Sequence, residues 1–421
     1  MTTTTATPLT IGTRSSAVVD QCQVCRSGDL RSLVFLGFLP PVNEMRPIGE
    51  RPKEQPSYPA EMLLCKKCGL AQLGLVVDPQ ILFPPEYPYT SGTTKILREN
   101  FAELYTDCQG VLALKPEDLV VDIGSNDGTL LSNFQGKHRV QGIEPTNAGL
   151  LARKRGIATK TAFFNQAVAG EVRADVGPAK VVTAANVFAH IEDVHAITAG
   201  VVSMLADDGV FISESHYLRG LIETVQYDTI YHEHLRYYSL RSLKHLLEMH
   251  GLTVIHAKRI PTHGGSIRVY AARAGRYEPR PSVEALMKEE DAVLTDEGFA
   301  KFKEKVVLSK LQLYDLLWDI KRQGKRVYAI SAPSRASTLV TYVGLDDGLL
   351  DCVLEIKGSY KIGKCMPGTL IPVLDEEKLF TDQPDYALLL SWHIADELIP
   401  KLTARGFKGR FIVPLPEARI V

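Results

Sequence analysis

The sequence predicts an α/β protein with three parts: a small amino-terminal module, a doubly wound parallel sheet, and a second α/β unit at the carboxyl end. Between residues 119 and 213, short apolar runs alternate with helical stretches, which is the pattern of consecutive βαβ units. After a long charged helical stretch at 283–323, a second series of strand-like runs begins at Arg326. We therefore place the three parts at residues 1–90, 91–282 and 283–421.

The length and charge of the chain narrow the class of protein. Its 421 residues exceed what one hydrophobic core usually organises. Its 48 basic and 49 acidic side chains give a net charge of −1, so no global field favours nucleic acid or anionic lipid. No apolar run reaches the roughly 18 residues of a membrane-spanning helix, and the Thr-rich start lacks signal-peptide features. We expect a cytoplasmic protein that binds neither nucleic acid nor membrane; the oligomeric state stays open, a monomer included.

Four of the seven cysteines form two close pairs, Cys22-x-x-Cys25 and Cys65-x-x-Cys68, which are separated by 39 residues. Two such knuckles let four thiolates surround one tetrahedral zinc ion, and four sulfur ligands leave no open position for catalysis. The sequence therefore predicts a structural zinc site. Chance pairs or two disulfides are the alternative, which a reducing compartment disfavours.

A glycine turn follows the first buried strand of the middle part, in the stretch Asp122-Ile123-Gly124-Ser125-Asn126-Asp127-Gly128. Two glycines permit a tight turn against which an adenosine-bearing ligand can lie, although the three-glycine spacing of a dinucleotide site is missing. About twenty residues on, an acidic residue ends the second strand, where carboxylates accept hydrogen bonds from ribose hydroxyls. An ordinary strand-to-helix turn is the alternative. The expected cofactor-binding residues are Asp122, Gly124, Asn126, Gly128, Glu144 and Asn186.

The segment Tyr231-His232-Glu233-His234 is a run of consecutive titratable side chains. A base that removes a proton beside a carbonyl needs a pKa near the working pH, which histidine supplies, while Tyr and Glu can orient it or support the enolate. His190 follows the presumed fourth strand, at the carboxyl edge where ligands bind in open α/β sheets. Metal binding and a solvated loop are the alternatives for the segment, and a core position is the alternative for His190.

Candidate substrate contacts occur in two regions. In the carboxyl-terminal part, residues 331–338 join a strand to a helix, whose amino terminus could hold a phosphate through hydroxyls and an arginine. Lysines that follow could complete a diphosphate site, or form a charged surface loop. In the middle part, the pair Gly264-Gly265 lets backbone approach a ligand, or forms a bulge. The expected substrate-binding residues are Ser266, Arg268, Arg335, Ser337, Lys357 and Lys361.

Taken together, these motifs resemble the sugar C-methyltransferases of deoxysugar biosynthesis, which methylate carbon 3 or carbon 5 of nucleotide-linked 4-keto-6-deoxysugars. The resemblance extends over nearly the whole chain. It rests on the cysteine pairs, the glycine turn and three further motifs: Asn186-Val187-Phe188-Ala189-His190-Ile191, Tyr231-His232-Glu233-His234 and His263-Gly264-Gly265-Ser266-Ile267-Arg268-Val269. It implies a zinc-binding module, a Rossmann-like domain that binds S-adenosylmethionine, and a second Rossmann-like domain that helps to hold the sugar nucleotide.

The resemblance also implies roles for single residues. His234 would remove the proton beside the keto group, and Tyr231, Glu233 and His190 would line the same pocket. Tyr87 is expected to reach this pocket from the end of the zinc module. Carbon 3 is the expected acceptor; the alternatives are carbon 5, an O- or N-methyltransferase and, last, a non-catalytic zinc-ribbon protein. The loop at 331–338 departs from the Gly-rich, Lys-containing loop of relatives, which leaves the identity of the nucleotide open.

Overall fold

The structure is a computed structural model that describes residues 16–82, 92 and 94–421. Its strands form sheets of two, four, six and seven strands. The predicted class is confirmed: a small cysteine-bearing module precedes an α/β domain, and a second α/β sheet follows it. No helix among the described residues is long and apolar enough to cross a membrane.

The amino-terminal module is a small antiparallel β structure. Its elements are β1 (Ala17–Val18), β2 (Leu30–Leu39), β3 (Tyr58–Cys65), β4 (Ala71–Leu73), β5 (Leu75–Val76) and the short helix α1 (Pro79–Leu82). Side chains of β3 alternate between buried and partly buried, as expected for a strand with one covered face. The segment Arg236–Tyr237, far along the chain, pairs with β4. The sheet of this module is therefore completed by residues outside 1–90.

The middle domain is built on the seven-stranded sheet. Its elements in chain order are α2 (Lys95–Leu112), β6 (Leu119–Ile123), β7 (Arg139–Ile143), α3 (Ala148–Lys154), β8 (Thr159–Lys160), α4 (Gln166–Val176), β9 (Ala179–Ala185), α5 (Val194–Met204), β10 (Leu205–His216), α6 (Leu218–Glu223), β11 (Arg236–Tyr237), α7 (Leu240–Met249), β12 (Leu252–Ile260) and β13 (Ser266–Arg273). All five residues of β6 are buried, which explains its unbroken apolar character.

The order of this sheet is β12-β13-β10-β9-β6-β7-β8. The strands from β8 to β10 run parallel, whereas β13 is antiparallel to both β10 and β12. The strand order reverses between β6 and β9. In open α/β sheets, ligands bind in the crevice outside the carboxyl ends of strands at such a switch point.

The carboxyl-terminal domain repeats this plan on a smaller scale. Two helices lead into it, followed by the six-stranded sheet in the order β16-β15-β14-β17-β18-β19. The elements are α8 (Pro281–Val293), α9 (Asp296–Arg322), β14 (Val327–Ile330), α10 (Ser334–Val343), β15 (Cys352–Glu355), β16 (Val373–Asp375), α11 (Glu377–Asp382), β17 (Tyr386–Leu389), α12 (Ala395–Ala404), β18 (Arg410–Val413) and β19 (Arg419–Ile420). All pairs are parallel except β18 with β19.

The long helical stretch expected at 283–323 is two helices, α8 and α9. The break falls where the Thr295 side chain accepts a 3.0 Å hydrogen bond from the N–H of Gly298 and so caps the start of α9. Buried side chains of α9 share one core with β2 to β4 and with the strands of the carboxyl-terminal sheet. Because this core is continuous, the amino-terminal module and the carboxyl-terminal domain pack against each other.

Candidate functional site

The four paired cysteines lie together in the amino-terminal module. Their Sγ atoms all fall within 4.8 Å of one another. Cys22 Sγ is 3.5 Å from Cys68 Sγ, and Cys25 Sγ is 3.4 Å from Cys65 Sγ. Four sulfurs at about 2.3 Å from one zinc ion would lie about 3.8 Å apart, whereas a disulfide bond measures about 2.0 Å. The cluster therefore fits a tetrahedral zinc ion and contradicts the disulfide alternative.

Each cysteine pair sits in a tight turn. The N–H groups of Val24 and Cys25 donate to Cys22 Sγ at 3.4 Å each, and β3 ends at Cys65. Burial raises the pKa of the Cys65 thiol to about 11, while the hydrogen bond from Cys68 lowers the pKa of Cys22 to about 5. A divalent cation would stabilise all four thiolates at once, because metal binding releases the thiol protons.

The glycine turn follows β6 at the switch point of the seven-stranded sheet. Gly124 has a φ of +67°, and a Cβ atom there would lie 2.6 Å from Cγ2 of Val187, in the loop after β9. Gly128 has a φ of +78°, and its Cβ would lie 2.6 Å from Cδ1 of Ile157, in the chain after α3. Both positions therefore need glycine. A side chain at position 124 would collide with the loop after β9 that borders the crevice, and one at position 128 would collide with the chain after α3.

Glu144 stands at the carboxyl end of β7, beside the glycine turn. Its two carboxylate oxygens accept hydrogen bonds from the N–H groups of Asn126 and Thr146, at 2.9 Å each. Asn186 follows β9 with a φ of +59°, and its N–H donates to the carbonyl oxygen of Glu214 at 2.8 Å. Asn186 Oδ1 is buried and has no hydrogen-bond partner among the described residues. Glu144 and Asn186, both expected to bind the cofactor, thus lie on either side of the crevice at the glycine turn.

Two further polar groups belong to this crevice. Asp122 accepts a 2.6 Å hydrogen bond from Thr183 Oγ1, and burial raises the pKa of Asp122 to about 7. Ser125 Oγ is buried and, like Asn186 Oδ1, has no hydrogen-bond partner within the described ranges. An unsatisfied buried polar group costs about 1–3 kcal/mol. Ser125 Oγ packs against Gly142 of β7, so Asn186 Oδ1 is the unsatisfied group that fits a ligand with hydroxyl or amino donors, as S-adenosylmethionine has.

His234 is buried in the loop between a 3-10 turn, Tyr227–Thr229, and β11. Its Nδ1 atom lies 3.0 Å from the carbonyl oxygen of Thr229, which can only accept, so Nδ1 carries the proton. Nε2 therefore holds the lone pair, and it lies 3.1 Å from the hydroxyl oxygen of Tyr231. The tautomer of this imidazole is therefore set by a backbone carbonyl.

Three other histidines lie close to His234. The ring centroids of His190 and His216 lie 4.9 Å from that of His234, and the ring of His263 lies 5.3 Å from His216. Burial lowers the pKa of His190 and His263 to about 4 and holds the pKa of His234 and His216 well below the usual 6.5. For His234, the nearby Arg335 acts in the same direction. All four rings are therefore neutral at pH 7.

All three parts of the chain meet at Glu233. Asn43 of the amino-terminal module donates to Glu233 Oε1 at 2.6 Å, and the main-chain carbonyl of Glu233 accepts from His190 Nδ1 at 2.8 Å. Burial lowers the pKa of Lys361, from the carboxyl-terminal domain, against the opposing effect of Glu355 and Glu233. The structure thus brings Lys361 to the predicted catalytic segment.

The structure corrects the role expected of Arg335. Its Nε and Nη2 atoms donate to the two carboxylate oxygens of Asp228 at 2.7 Å each. Trp392 Nε1 donates to the same carboxylate at 2.8 Å, and its ring lies 5.0 Å from the guanidinium carbon. Because the fully buried Asp228 needs a matching charge, the main partner of Arg335 in the structure is this carboxylate and not a phosphate.

Arg268 and Ser266 also differ from expectation. Arg268 has no exposed surface, and it donates to Glu214 at 2.6 Å and to Asp107 at 2.5 Å. Ser266 is equally buried, and its Oγ donates to the carbonyl oxygen of Thr262 at 3.0 Å. Both side chains are fully buried and hydrogen-bonded within the protein, so the structure gives each of them a protein partner in place of the expected substrate contact.

The remaining expected residues fall in different surroundings. Ser337 Oγ, on α10, is buried and has no hydrogen-bond partner in the described part of the chain. Lys357 is exposed in the loop after β15. Tyr87 lies outside the described residues.

Sequence reasoning missed several residues of the site. His216 ends β10, and a titratable residue at the carboxyl end of a strand is a signal that could have identified it. His263 stands in a recognised motif but received no role. Asp228 and Trp392 are separated by 164 residues, and no local pattern in the sequence links them.

The sheet order, the glycine turn and the acid after β7 are those of an S-adenosylmethionine-dependent methyltransferase. Three protein families match successive stretches of the chain. The family described as "Putative zinc binding domain" matches residues 22–83, "Methyltransferase domain" matches residues 96–257, and "C-methyltransferase C-terminal domain" matches residues 261–416. The class of enzyme and the zinc-binding module are therefore established together.

A curated relative narrows the class. The chain is 34% identical over 411 residues to a protein named C-methyltransferase NovU from Streptomyces niveus, an alignment that covers 96% of this chain and 97% of the relative. The chain belongs to this C-methyltransferase family, as the motifs predicted. An O- or N-methyltransferase and a non-catalytic zinc-ribbon protein are alternatives that this family does not support.

Solved structures with a related fold cover only part of the chain. A magnesium protoporphyrin IX methyltransferase from Synechocystis PCC 6803 with bound S-adenosylmethionine is 16% identical, with a TM-score of 0.32 over 42% of this chain and 79% of that chain. A methyltransferase from Clostridium acetobutylicum ATCC 824 is 12% identical, with a TM-score of 0.33 over 44% of this chain and 94% of that chain. Scores this low add nothing to the assignment.

Proposed function

We propose that the enzyme transfers a methyl group from S-adenosylmethionine to carbon 3 of a nucleotide-linked 4-keto-6-deoxysugar, after His234 has removed the proton from that carbon. The observation that carries the proposal is the geometry of His234. Its Nδ1–H is held by the Thr229 carbonyl, and its Nε2 lone pair lies 3.1 Å from the Tyr231 hydroxyl oxygen. A C-methyltransferase needs a carbon nucleophile, and a proton beside a ketone is the one that a histidine can remove.

His234 is unprotonated at neutral pH, but its lowered pKa makes it a weaker base than a free imidazole, so the step also depends on stabilisation of the enolate. Burial holds its pKa well below 6.5, so the ring is unprotonated and able to accept a proton. In the step, the C–H bond at carbon 3 breaks, its proton goes to Nε2, and its electron pair spreads onto the keto oxygen. The Tyr231 hydroxyl and buried imidazole N–H groups are the candidate donors to that oxygen. Stabilising developing charge in this way is usually a large part of catalysis.

Among the imidazoles, we assign His263 to the hydrogen bond with the keto oxygen or with an adjacent sugar hydroxyl. Its Nε2 atom is buried and has no hydrogen-bond partner among the described residues. Its ring lies 5.3 Å from His216, which in turn lies 4.9 Å from the base. A substrate oxygen would remove the cost of leaving this buried nitrogen unsatisfied.

The cofactor site follows from the crevice at the switch point. S-adenosylmethionine, when bound, supplies an electrophilic methyl group on sulfur. The Gly124 turn would take its adenosine, Glu144 would accept from the ribose hydroxyls, and Asn186 Oδ1 would accept from a polar group. When bound, S-adenosylmethionine would supply the methyl group to the enolate carbon and would leave as S-adenosylhomocysteine.

The nucleotide end of the substrate would lie toward the carboxyl-terminal domain. Lys361, whose Nζ donates to the carbonyl oxygen of Ala332 in the loop before α10, and Ser337, with its unsatisfied buried hydroxyl, are the side chains that we assign to this end. Lys357 is exposed nearby and would add positive charge. The thiolate cluster of the zinc module fits the cytoplasmic location expected from the sequence, because that compartment keeps thiols reduced.

A hydrogen-exchange experiment tests the proton step apart from methyl transfer. The enzyme is incubated in D2O with S-adenosylhomocysteine and a thymidine diphosphate-linked 4-keto-6-deoxyglucose, and the sugar is followed by proton NMR. Loss of the proton at carbon 3 supports the proposal. Loss at carbon 5 alone moves the reaction to the other carbon beside the ketone, and no enzyme-dependent loss contradicts the role of His234 with this substrate class.

The variant His234→Asn tests the identity of the base. Asn keeps a donor for the Thr229 carbonyl but lacks the lone pair of Nε2. We expect methylation to slow by about a hundredfold or more, as loss of a general base does. Calorimetry should show unchanged binding of S-adenosylmethionine, and near-normal turnover would overturn the assignment.

A further inference from the structure

The orientation of His234 depends on one short turn, Tyr227–Thr229. The Thr229 carbonyl oxygen accepts two hydrogen bonds, from His234 Nδ1 at 3.0 Å and from the Tyr237 hydroxyl at 2.9 Å. Without the first of these, neither the tautomer nor the direction of the imidazole ring is defined. What holds the Thr229 carbonyl in place therefore also holds the base.

The residue before this carbonyl is tied to the carboxyl-terminal domain. Asp228 has no exposed surface, and three N–H groups donate to its carboxylate: two from Arg335 at 2.7 Å each and one from Trp392 at 2.8 Å. Arg335 lies on α10, and Trp392 lies in the turn after β17. Hydrogen bonds between ionised groups in this paired geometry are among the strongest in proteins.

We propose that Asp228 is a positioning residue, through which the carboxyl-terminal domain holds the Thr229 carbonyl and hence the His234 ring in the orientation for proton removal. This inference rests on the proposed function. Asp228 and Thr229 share one 3-10 turn, so a movement of the carboxylate rotates the adjacent carbonyl. The side chain of Gln226 braces the start of the turn, because it donates to the Gly264 carbonyl at 2.6 Å.

Asp228 also balances the charge that faces the base. The groups near His234 are the imidazoles of His190, His216 and His263, the Tyr231 hydroxyl, and Arg335. Of these groups, Arg335 is the one that is always charged. Because Asp228 matches it, the base does not face an uncompensated cation.

The variant Asp228→Asn tests the inference with size conserved. We expect the exchange of the substrate proton into D2O and kcat for methylation to fall by about ten- to a hundredfold, as a small misplacement of a catalytic group can cause. The KM for the sugar nucleotide and the Kd for S-adenosylmethionine should stay at the wild-type values. A merely structural role would change these constants or the amount of folded protein instead.

A matched control uses another carboxylate that contacts a buried arginine. Asp107 lies 2.5 Å from Arg268 Nη1, in a cluster of side chains that is separate from the Asp228 carboxylate and its partners. Asp107→Asn changes the same charge in the same way. It should leave the exchange rate and kcat at the wild-type values, and an equal fall in both variants would contradict a specific role for Asp228.

A second variant covers the case in which Asp228→Asn does not fold. Trp392→Phe removes one hydrogen bond to the carboxylate and leaves the ion pair with Arg335 intact. It should slow proton exchange in the same direction but by a smaller factor. Wild-type exchange in the folded variants would overturn the inference alone, whereas absence of exchange by the wild-type enzyme would instead overturn the proposed function.

Discussion

The two parallel sheets use the same backbone device at their switch points. In the methyltransferase sheet, the Gly124 N–H donates to the carbonyl oxygen of Ile143 at 2.9 Å, and the Asn126 N–H donates to the Glu144 carboxylate at 2.9 Å. The strand that ends in the acid thus fixes the loop of its neighbour. In this sheet the loop is lined by glycine at the point where side chains would otherwise fill the crevice.

The carboxyl-terminal sheet repeats these contacts with other residues. The Ser331 N–H donates to the carbonyl oxygen of Leu354 at 2.8 Å, and the Ala332 N–H donates to Glu355 Oε1 at 2.6 Å. The helix that follows this loop, α10, however carries Arg335, which donates to the carboxylate of Asp228 in the middle domain. The two loops share the same backbone hydrogen bonds, but after the second loop a side chain joins the carboxyl-terminal domain to the middle domain.

The difference teaches that backbone topology offers a crevice and that side chains decide its use. Glycine keeps the first crevice open for a cofactor. A buried arginine and a tryptophan fill part of the second and link it to the turn that holds the base. Histidines also differ between the two sites, because His190, His216 and His263 lie around His234, whereas His393 lies at the second sheet.

The largest expected effect is the loss of stability in acid that the buried histidines cause. Burial lowers the pKa of His190, His232 and His263 from 6.5 to about 4, so the unfolded chain takes up protons first as the pH falls. Their contribution to stability is complete above pH 6.5 and is lost as the pH falls from 6.5 through about 4. A fully buried imidazole such as His232 accounts for on the order of 3 kcal/mol.

Urea unfolding from pH 8 to pH 4 measures this loss. In His263→Gln the free energy of unfolding should fall less steeply over the same range, because one imidazole that the unfolded chain would protonate is gone. An unchanged slope would show that this ring is accessible to protons in the folded enzyme.

The two acids that brace the loops should differ in their effect on the cofactor. Glu144→Gln should raise the Kd for S-adenosylmethionine by about tenfold or more, since hydrogen bonds to a charged group contribute about 1.5–3 kcal/mol. Glu355→Gln makes the same change at the second sheet and should leave this Kd unaltered. Calorimetry on both variants tests the comparison, which fails if the two values shift alike.

The smallest expected effect concerns the backbone of the second loop. Ser331 adopts a φ of +69°, which L-residues disfavour, at the position equivalent to Gly124 in the first loop. Ser331→Gly should therefore raise the free energy of unfolding by about 0.5–1 kcal/mol, measured by urea titration. A less stable variant would mean that the Ser331 side chain contributes more than the strain costs.

Local patterns in the sequence predicted most of the elements. The apolar run at 119–124 predicted β6 (Leu119–Ile123), and the run at 410–413 is β18 (Arg410–Val413). The run at 210–213 predicted only the centre of β10 (Leu205–His216), because its ends carry polar residues. Strand interiors are visible because buried strands read as continuous apolar runs, whereas their ends are set by pairing with neighbours.

Contacts between distant residues were not predictable in the same way. Arg335 and Asp228 are separated by 107 residues, and a single arginine near a helix start is as compatible with a phosphate as with a carboxylate. Likewise, Arg268 in a Gly-containing motif could face a ligand or a buried acid. Whether each arginine binds a ligand or a carboxylate of the protein depends on which buried carboxylates the fold places beside it.

The sequence by itself determined the parts that depend on short spacing: the two cysteine knuckles, the glycine turn with its acid, and the run that contains His234. Each of these is a local arrangement in which a few consecutive residues specify the chemistry. Only the tertiary structure decided that Asp228, in the turn before His234, pairs with Arg335 of the carboxyl-terminal domain, and that four histidines share one buried, neutral site. These properties arise from burial and from charge pairing between domains, which exist only when the whole chain is folded.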